Sequence, residues 1–183
     1  RGRLPRLTQG FLEGYPRLYG IAWAFIAHTD SRLDPELLIR FLHVYQSVDP
    51  LEMRELWALA LMLRVVLVEN LRRIAAVVVR SQRGRELADE FVNRMEAAAS
   101  AASAREAKLR LPEGPLAHAF VCQLIQRVRY RHPDATPSLE FLSGWLAERH
   151  LDLDDLVQCE HSAQGAANLT AANIVSSMRM IAA

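Results

Sequence analysis

The segment ELWALALMLRVVLVENLRR, from Glu55 to Arg73, limits what this chain can fold into more than any other stretch. Its uninterrupted apolar run, Leu56 to Leu63, is eight residues long, whereas a bilayer-spanning helix needs about 20. Arg64 and then Glu69 interrupt the remainder of the segment, so it reads as a helix inside a bundle and not as a membrane span. On a helical wheel Leu56, Leu59, Leu63, Leu67 and Ile74 share one face, which is predicted to be core. Trp57, Ala58, Leu61, Met62 and Val65 make the first half apolar on nearly every side. That pattern predicts a central helix packed by neighbours on several sides.

The polar residues of this helix are its informative exceptions. Arg64 has Ala60, Leu61, Leu67 and Val68 three and four residues away, so it must reach water or find a partner on another helix. Glu69 has Arg72 and Arg73 within helical reach, a local pairing worth roughly a few tenths of a kcal/mol when exposed. Asn70 falls among Leu63, Leu67 and Ile74 and is expected to be buried and bonded to the backbone of another segment. Trp57, Arg64, Glu69, Asn70, Arg72 and Arg73 are therefore the candidate structural or interaction residues. No residue is assigned to catalysis, to substrate or to a metal.

Prolines supply the punctuation of an all-α chain. Pro16, Pro35, Pro50, Pro115 and Pro137 each precede an apolar pattern of helical spacing, and proline suits a first helical position because its missing N–H has no intrahelical partner there. Asp49-Pro50-Leu51-Glu52 has the spacing of a capping box, and Asp152 and Asp155 repeat it. The spacing predicts helices over 16–28, 35–46, 50–80, 85–108, 115–130, 137–149 and from 153 to the end. The third and fourth of these can also run together through Ser81 to Gly84. The fold class expected is all-α, a bundle of six to seven helices around a long central one. It forms one domain over 1–183, with sub-parts 1–109 and 115–183 joined by a short Pro/Gly linker. The Ala-rich stretch from Ala97 to Lys108 is read as an exposed or loosely packed helical end.

Composition narrows function mainly by exclusion. Hydrophobic residues make up 51% and charged residues 23%, which is globular composition, and 22 basic against 21 acidic residues leave no field to attract nucleic acid. The two cysteines, Cys122 and Cys159, lie in no metal-ligand spacing and read as free thiols. The six histidines are scattered one to an element, and Glu160-His161 lacks a second histidine one turn on. Asp152-Leu153-Asp154 spells a DxD sequence, but at a helix start, where carboxylates cap free N–H groups. Tyr15, Arg17, Tyr19, Trp23 and His28 are side chains that sugar-binding surfaces use, although their helical spacing fits core packing better. Arg1 stands first where Met would begin a complete chain, and MRMIAA ends within an apolar periodic run. Both point to a segment of a longer protein.

The block from Gly14 to Arg73 and a second, NLTAANIVSSMRMI from Asn168 to Ile181, resemble the N-terminal soluble region of the bacterial cyclic β-1,2-glucan synthases. FVCQLIQRVR between them is compatible. The resemblance implies a large inner-membrane parent that polymerises glucose from a UDP-glucose donor with a divalent metal and closes the glucan into a ring. It implies that this segment lies on the cytoplasmic face, carries none of the transferase carboxylates and holds no cofactor itself. Its expected partners are the remaining domains of the synthase, with a carbohydrate or nucleotide-sugar binding module as the alternative reading. Met178, Met180 and Ile181 are expected to leave an apolar stripe through which the segment forms a homodimer.

Overall fold

The computed structural model describes residues 4–100, 117–131, 147 and 152–182. Five helices occur among them: α1 (Arg17–His28), α2 (Pro35–Gln46), α3 (Met53–Ser100), α4 (Ala117–Arg131) and α5 (Leu153–Ala182). There is no strand among the described residues, only an isolated antiparallel bridge between Arg6 and Pro16. The all-α expectation holds. The third and fourth expected pieces are one helix, the continuous alternative, which makes six of the seven, and the described residues show five of these. The helix expected over 137–149 lies, Ala147 apart, outside the described residues, as does the linker at 110–114.

α3 passes through Ser81 to Gly84 because the polar residues there all find partners. The Ser81 hydroxyl bonds to Glu160, Gln82 Nε2 reaches Glu86 at 3.5 Å, and Arg83 pairs with Glu86 at 3.2 Å. A single glycine costs a helix about 1 kcal/mol, too little to break one supported in this way.

Helix starts follow the sequence in two places and depart from it in a third. Pro35 is the first residue of α2, and Asp34 accepts from the N–H groups of Glu36 and Leu37 at 3.0 and 3.1 Å. Asp152 caps α5 likewise, with Oδ1 accepting from Asp154 and Asp155 N–H at 2.8 and 3.1 Å. α3, by contrast, begins at Met53 and not at Pro50. The capping arrangement is shifted by three residues: Glu55 Oε2 accepts from Glu52 N–H at 2.9 Å, while the Asp49 carboxylate is taken by Arg17.

The chain divides into two compact units whose boundaries fall inside α3 and α5. The first comprises Arg1–Ala75 and Ala167–Ala183. Its core gathers Ala22, Phe25 and Ile26 of α1, Leu33, the α3 residues Leu63, Val66 and Leu67, and Ile174 of α5. A smaller cluster joins Ile21, Leu42 and Leu51. Only one side of α3 is used. Leu59 and Ile74 are partly buried, but Leu56, Trp57, Leu61, Val65, Val68 and Leu71 are exposed. The expectation of a spine packed on several sides is corrected here, and the inward face turns out to centre on Val66 and Leu67 and to leave Leu56 out.

The second unit, Ala76–Ala166, buries Ala88, Phe91 and Val92 of α3, Phe120, Val121 and Leu124 of α4, and Leu156 of α5. Phe91 and Phe120 meet edge to face at 5.8 Å. Asp89 accepts from Gln123 and Arg127 at 3.0 and 2.7 Å.

Candidate functional site

The first half of α3 and the segments around it hold the polar groups that sequence reasoning singled out, together with two arrangements that it missed. The first is a charged clamp at the start of the helix. Glu55 is 0% exposed, and the Arg17 fork from α1 reaches both its oxygens, Nε to Oε1 at 3.2 Å and Nη2 to Oε2 at 2.5 Å. Arg17 also pairs with Asp49 and donates to the Pro50 carbonyl at 3.3 Å, and Tyr45 donates its hydroxyl to Asp49 at 3.4 Å. The hydrogen bond to Glu55 raises the Arg17 pKa above the ordinary arginine range, against the opposing effect of burial. Sequence alone groups Arg17 with an aromatic cluster and leaves Glu55 an ordinary first-turn acid. The only signal for the pair is an acid at the head of a strongly apolar run.

The second is a polar clasp around the α1–α2 turn. Asp30 and Ser31 both have left-handed backbones, with φ of 48° and 64°, a conformation that costs an L residue roughly 1–2 kcal/mol. Hydrogen bonds from two helices hold it. Asn70 Nδ2 donates to Ser31 Oγ at 2.6 Å. Ser177 Oγ donates to the Ser31 carbonyl and accepts from Leu33 N–H, each at 2.8 Å. Thr170 donates to Asp30 Oδ1 at 2.8 Å, and Asn173 to the Asp30 carbonyl at 3.0 Å. Asn70, expected to bond to backbone, instead donates to the Ser31 hydroxyl, while the Ser31 carbonyl accepts from Ser177.

The remaining predicted residues sit on α3 without converging. Arg64 Nη2 donates to the Ile181 carbonyl near the end of α5 at 2.6 Å and is otherwise exposed. Glu69 binds Arg72 through both oxygens, at 2.7 and 2.8 Å, which holds the carboxyl below and the guanidinium above their usual ranges. The Arg73 guanidinium lies 5.1 Å from the centre of the Trp23 ring. Trp57 is 80% exposed.

Tyr15, just before α1, and Tyr19 and Trp23 on it form a ladder, with ring centres 5.1 and 6.1 Å apart. Tyr15 and Tyr19 stack, Tyr19 and Trp23 are tilted to each other, and Arg73 lies against Trp23, while Tyr15 stays exposed. A mostly apolar groove of about 370 Å³ lies between the N-terminal loop and α1 and α2, bordered by Leu7, Phe11, Leu12 and Phe41 and touched by Arg17 and Tyr45. Met178 and Ile181 pack on the core, which leaves Met180 alone exposed of the three residues expected to form a dimer stripe. Among the described residues no three His, Cys, Asp or Glu side chains are placed to hold a metal ion. No helix among them is long and apolar enough to cross a membrane.

Compared with curated proteins, 166 residues, 91% of the chain, are 30% identical to a cyclic β-(1,2)-glucan synthase, NdvB of Rhizobium meliloti (strain 1021). The chain is similar to a segment of a cyclic β-1,2-glucan synthase. That match occupies 6% of the relative, so this chain corresponds to a small part of such a synthase. No family model matches the chain. The match takes in most of both units and so the greater part of the clamp and clasp region, and it agrees with the resemblance carried by the blocks Gly14–Arg73 and Asn168–Ile181.

Proposed function

We propose that this chain is a non-catalytic helical module of a cyclic β-1,2-glucan synthase, lying on the cytoplasmic face of the inner membrane, where it packs on the glucosyltransferase domain and positions it. The observation that carries this reading is the similarity over 91% of the chain to 6% of a synthase. The arrangement of side chains supports it. The charged and polar groups around the first half of α3 are spent largely on one another, in the Arg17–Glu55 clamp and in the clasp on Ser31, and the groove that Arg17 and Tyr45 border is otherwise mostly apolar. Donor and metal chemistry, UDP-glucose with a divalent cation, then belongs to other domains of the parent.

The test compares the full-length synthase with a version lacking this module, both in membranes supplied with radiolabelled UDP-glucose. The expected result is that deletion lowers cyclic glucan formation at least about tenfold with the protein still inserted, while the isolated chain transfers no glucose. Normal glucan formation by the deleted synthase overturns the proposal. The alternative, a module that holds the glucan or the nucleotide sugar, rests on the Tyr15–Tyr19–Trp23 ladder beside Arg73. Saturable sub-millimolar binding of β-1,2-glucan or UDP-glucose to the isolated chain, lost in Trp23→Ala, would establish it instead.

A further inference from the structure

Within the first unit α3 shows a second apolar stripe on the side away from the core. Met53, Trp57, Leu61, Val65, Val68 and Leu71 recur at helical spacing, and every one of them is exposed. Arg64 stands in the middle of this stripe, not at its edge. An apolar surface of such length, with one guanidinium at its middle that has no acid and with Arg54 and Arg72 at its two ends already paired to Glu52 and Glu69, is what a docking helix presents, because large aromatic and arginine anchors dominate protein interfaces.

The charges select the occupant. In a twofold pair of this chain, whether the helices run parallel or cross at the centre of the stripe, Arg64 meets its own copy. The nearest acid, Glu69, is already bound to Arg72 on the same helix. Two desolvated guanidinium groups facing each other oppose association. A lipid surface fits no better, since an interfacial helix keeps its basic residues on the polar side and its apolar stripe clear of them. A partner helix with a carboxylate inside its own apolar stripe satisfies both features, covering Trp57 and Leu61 while closing an ion pair on Arg64. The Ile181 carbonyl holds one arm of the guanidinium, so the group is positioned in advance.

We propose that the outer face of α3, from Met53 to Leu71, is the docking surface for an amphipathic helix that carries an acidic residue opposite Arg64, contributed by another segment of the same synthase. This rests on the reading of the chain as one module of that longer protein, and it names the contact through which the module is held.

The test uses the full-length synthase in its membrane, with the photo-reactive residue p-benzoylphenylalanine at Leu61, at Val68 or, as a control on a different helix, at exposed Ile39. The expected result is a cross-link from positions 61 and 68 to one helical segment of the same polypeptide. Its yield should fall at least about tenfold with Arg64→Glu and return when the acid identified in that segment is changed to arginine. Adducts to phospholipid, to position 61 of a second copy, or at a yield no higher than from Ile39 overturn the proposal. The readout is independent of glucan synthesis. A docked module whose deletion leaves activity unchanged would sink the positioning role while sparing the surface, and an active, module-dependent synthase without the cross-link would do the reverse.

Discussion

The clamp between Arg17 and Glu55 makes an asymmetric prediction that its geometry fixes in sign. Arg17→Met leaves the Glu55 carboxylate, 0% exposed, with only the Glu52 N–H to satisfy it. Stranding a buried charge in this way costs about 3–5 kcal/mol. Glu55→Gln is milder, because the amide oxygen still accepts from Arg17 or Glu52, and Arg17, whose side chain is 16% exposed, keeps Asp49 and the Pro50 carbonyl. Its cost should be about 1–3 kcal/mol, the loss of charge assistance in a partly solvated pair. Replacing both partners, Arg17→Met with Glu55→Leu, removes the desolvated charges together and should cost less than Arg17→Met alone. The assay is urea unfolding followed by circular dichroism at 222 nm. With a slope of about 1–3 kcal/mol per molar urea, Arg17→Met should lower the midpoint by about 1–5 M. A larger loss for Glu55→Gln than for Arg17→Met, or a double variant that loses as much as Arg17→Met alone or more, would refute the account of a buried carboxylate held by one fork.

Three further outcomes are expected from neighbouring parts of the molecule. Ser177→Ala removes a buried hydroxyl that donates to Ser31 and accepts from Leu33, and should cost about 1–3 kcal/mol in the same unfolding assay. Leu67→Ala should cost about 2–5 kcal/mol and Trp57→Ala less than about 0.5, since the first fills the core and the second projects into solvent. Cys159, exposed, should be alkylated by iodoacetamide at pH 8 well before Cys122, whose thiol is half-buried, donates towards the Leu156 carbonyl at 3.7 Å and is pushed up in pKa by burial; mass spectrometry of the modified peptides reads the order.

The parts of this fold written in local chemistry were legible in the sequence. α2 begins at Pro35 behind its Asp34 cap and ends at Gln46, as proline, aspartate and apolar spacing require. Asp152 caps a helix, and Glu69 takes the arginine three residues on. The features that were not legible depend on contacts across long stretches of chain. The partner of Glu55 is 38 residues away, that of Asn70 is 39, and Ser177 reaches back 144 residues to Leu33. No periodicity encodes such pairings. The start of α3 departs from its expected place for a related reason: Asp49 has the residue type and spacing of a cap, but Arg17 competes for its carboxylate and wins.

The difference between the expected and observed faces of α3 has a single physical origin, and it explains why the clamp and the clasp sit where they do. A helix with leucine, valine and tryptophan on both sides gains similar burial whichever side it turns inward, so hydrophobicity alone leaves its rotation about its own axis undecided. The two polar anchors remove that degeneracy. Glu55 and Asn70 lie on the same side as Val66 and are 15 residues apart, about 22 Å along the axis, and each has its partner only when that side faces α1 and the α1–α2 turn. Turning α3 by half a revolution would bury Arg64 without an acid, would expose Leu67, and would take Glu55 from Arg17 and Asn70 from Ser31, a combined cost of several kcal/mol. The buried ion pair is thus better understood as a selector of orientation than as a source of stability. The apolar stripe that it turns outward, with Arg64 at its centre, is left facing away from the core by construction, which is the arrangement a surface kept for another helix would need.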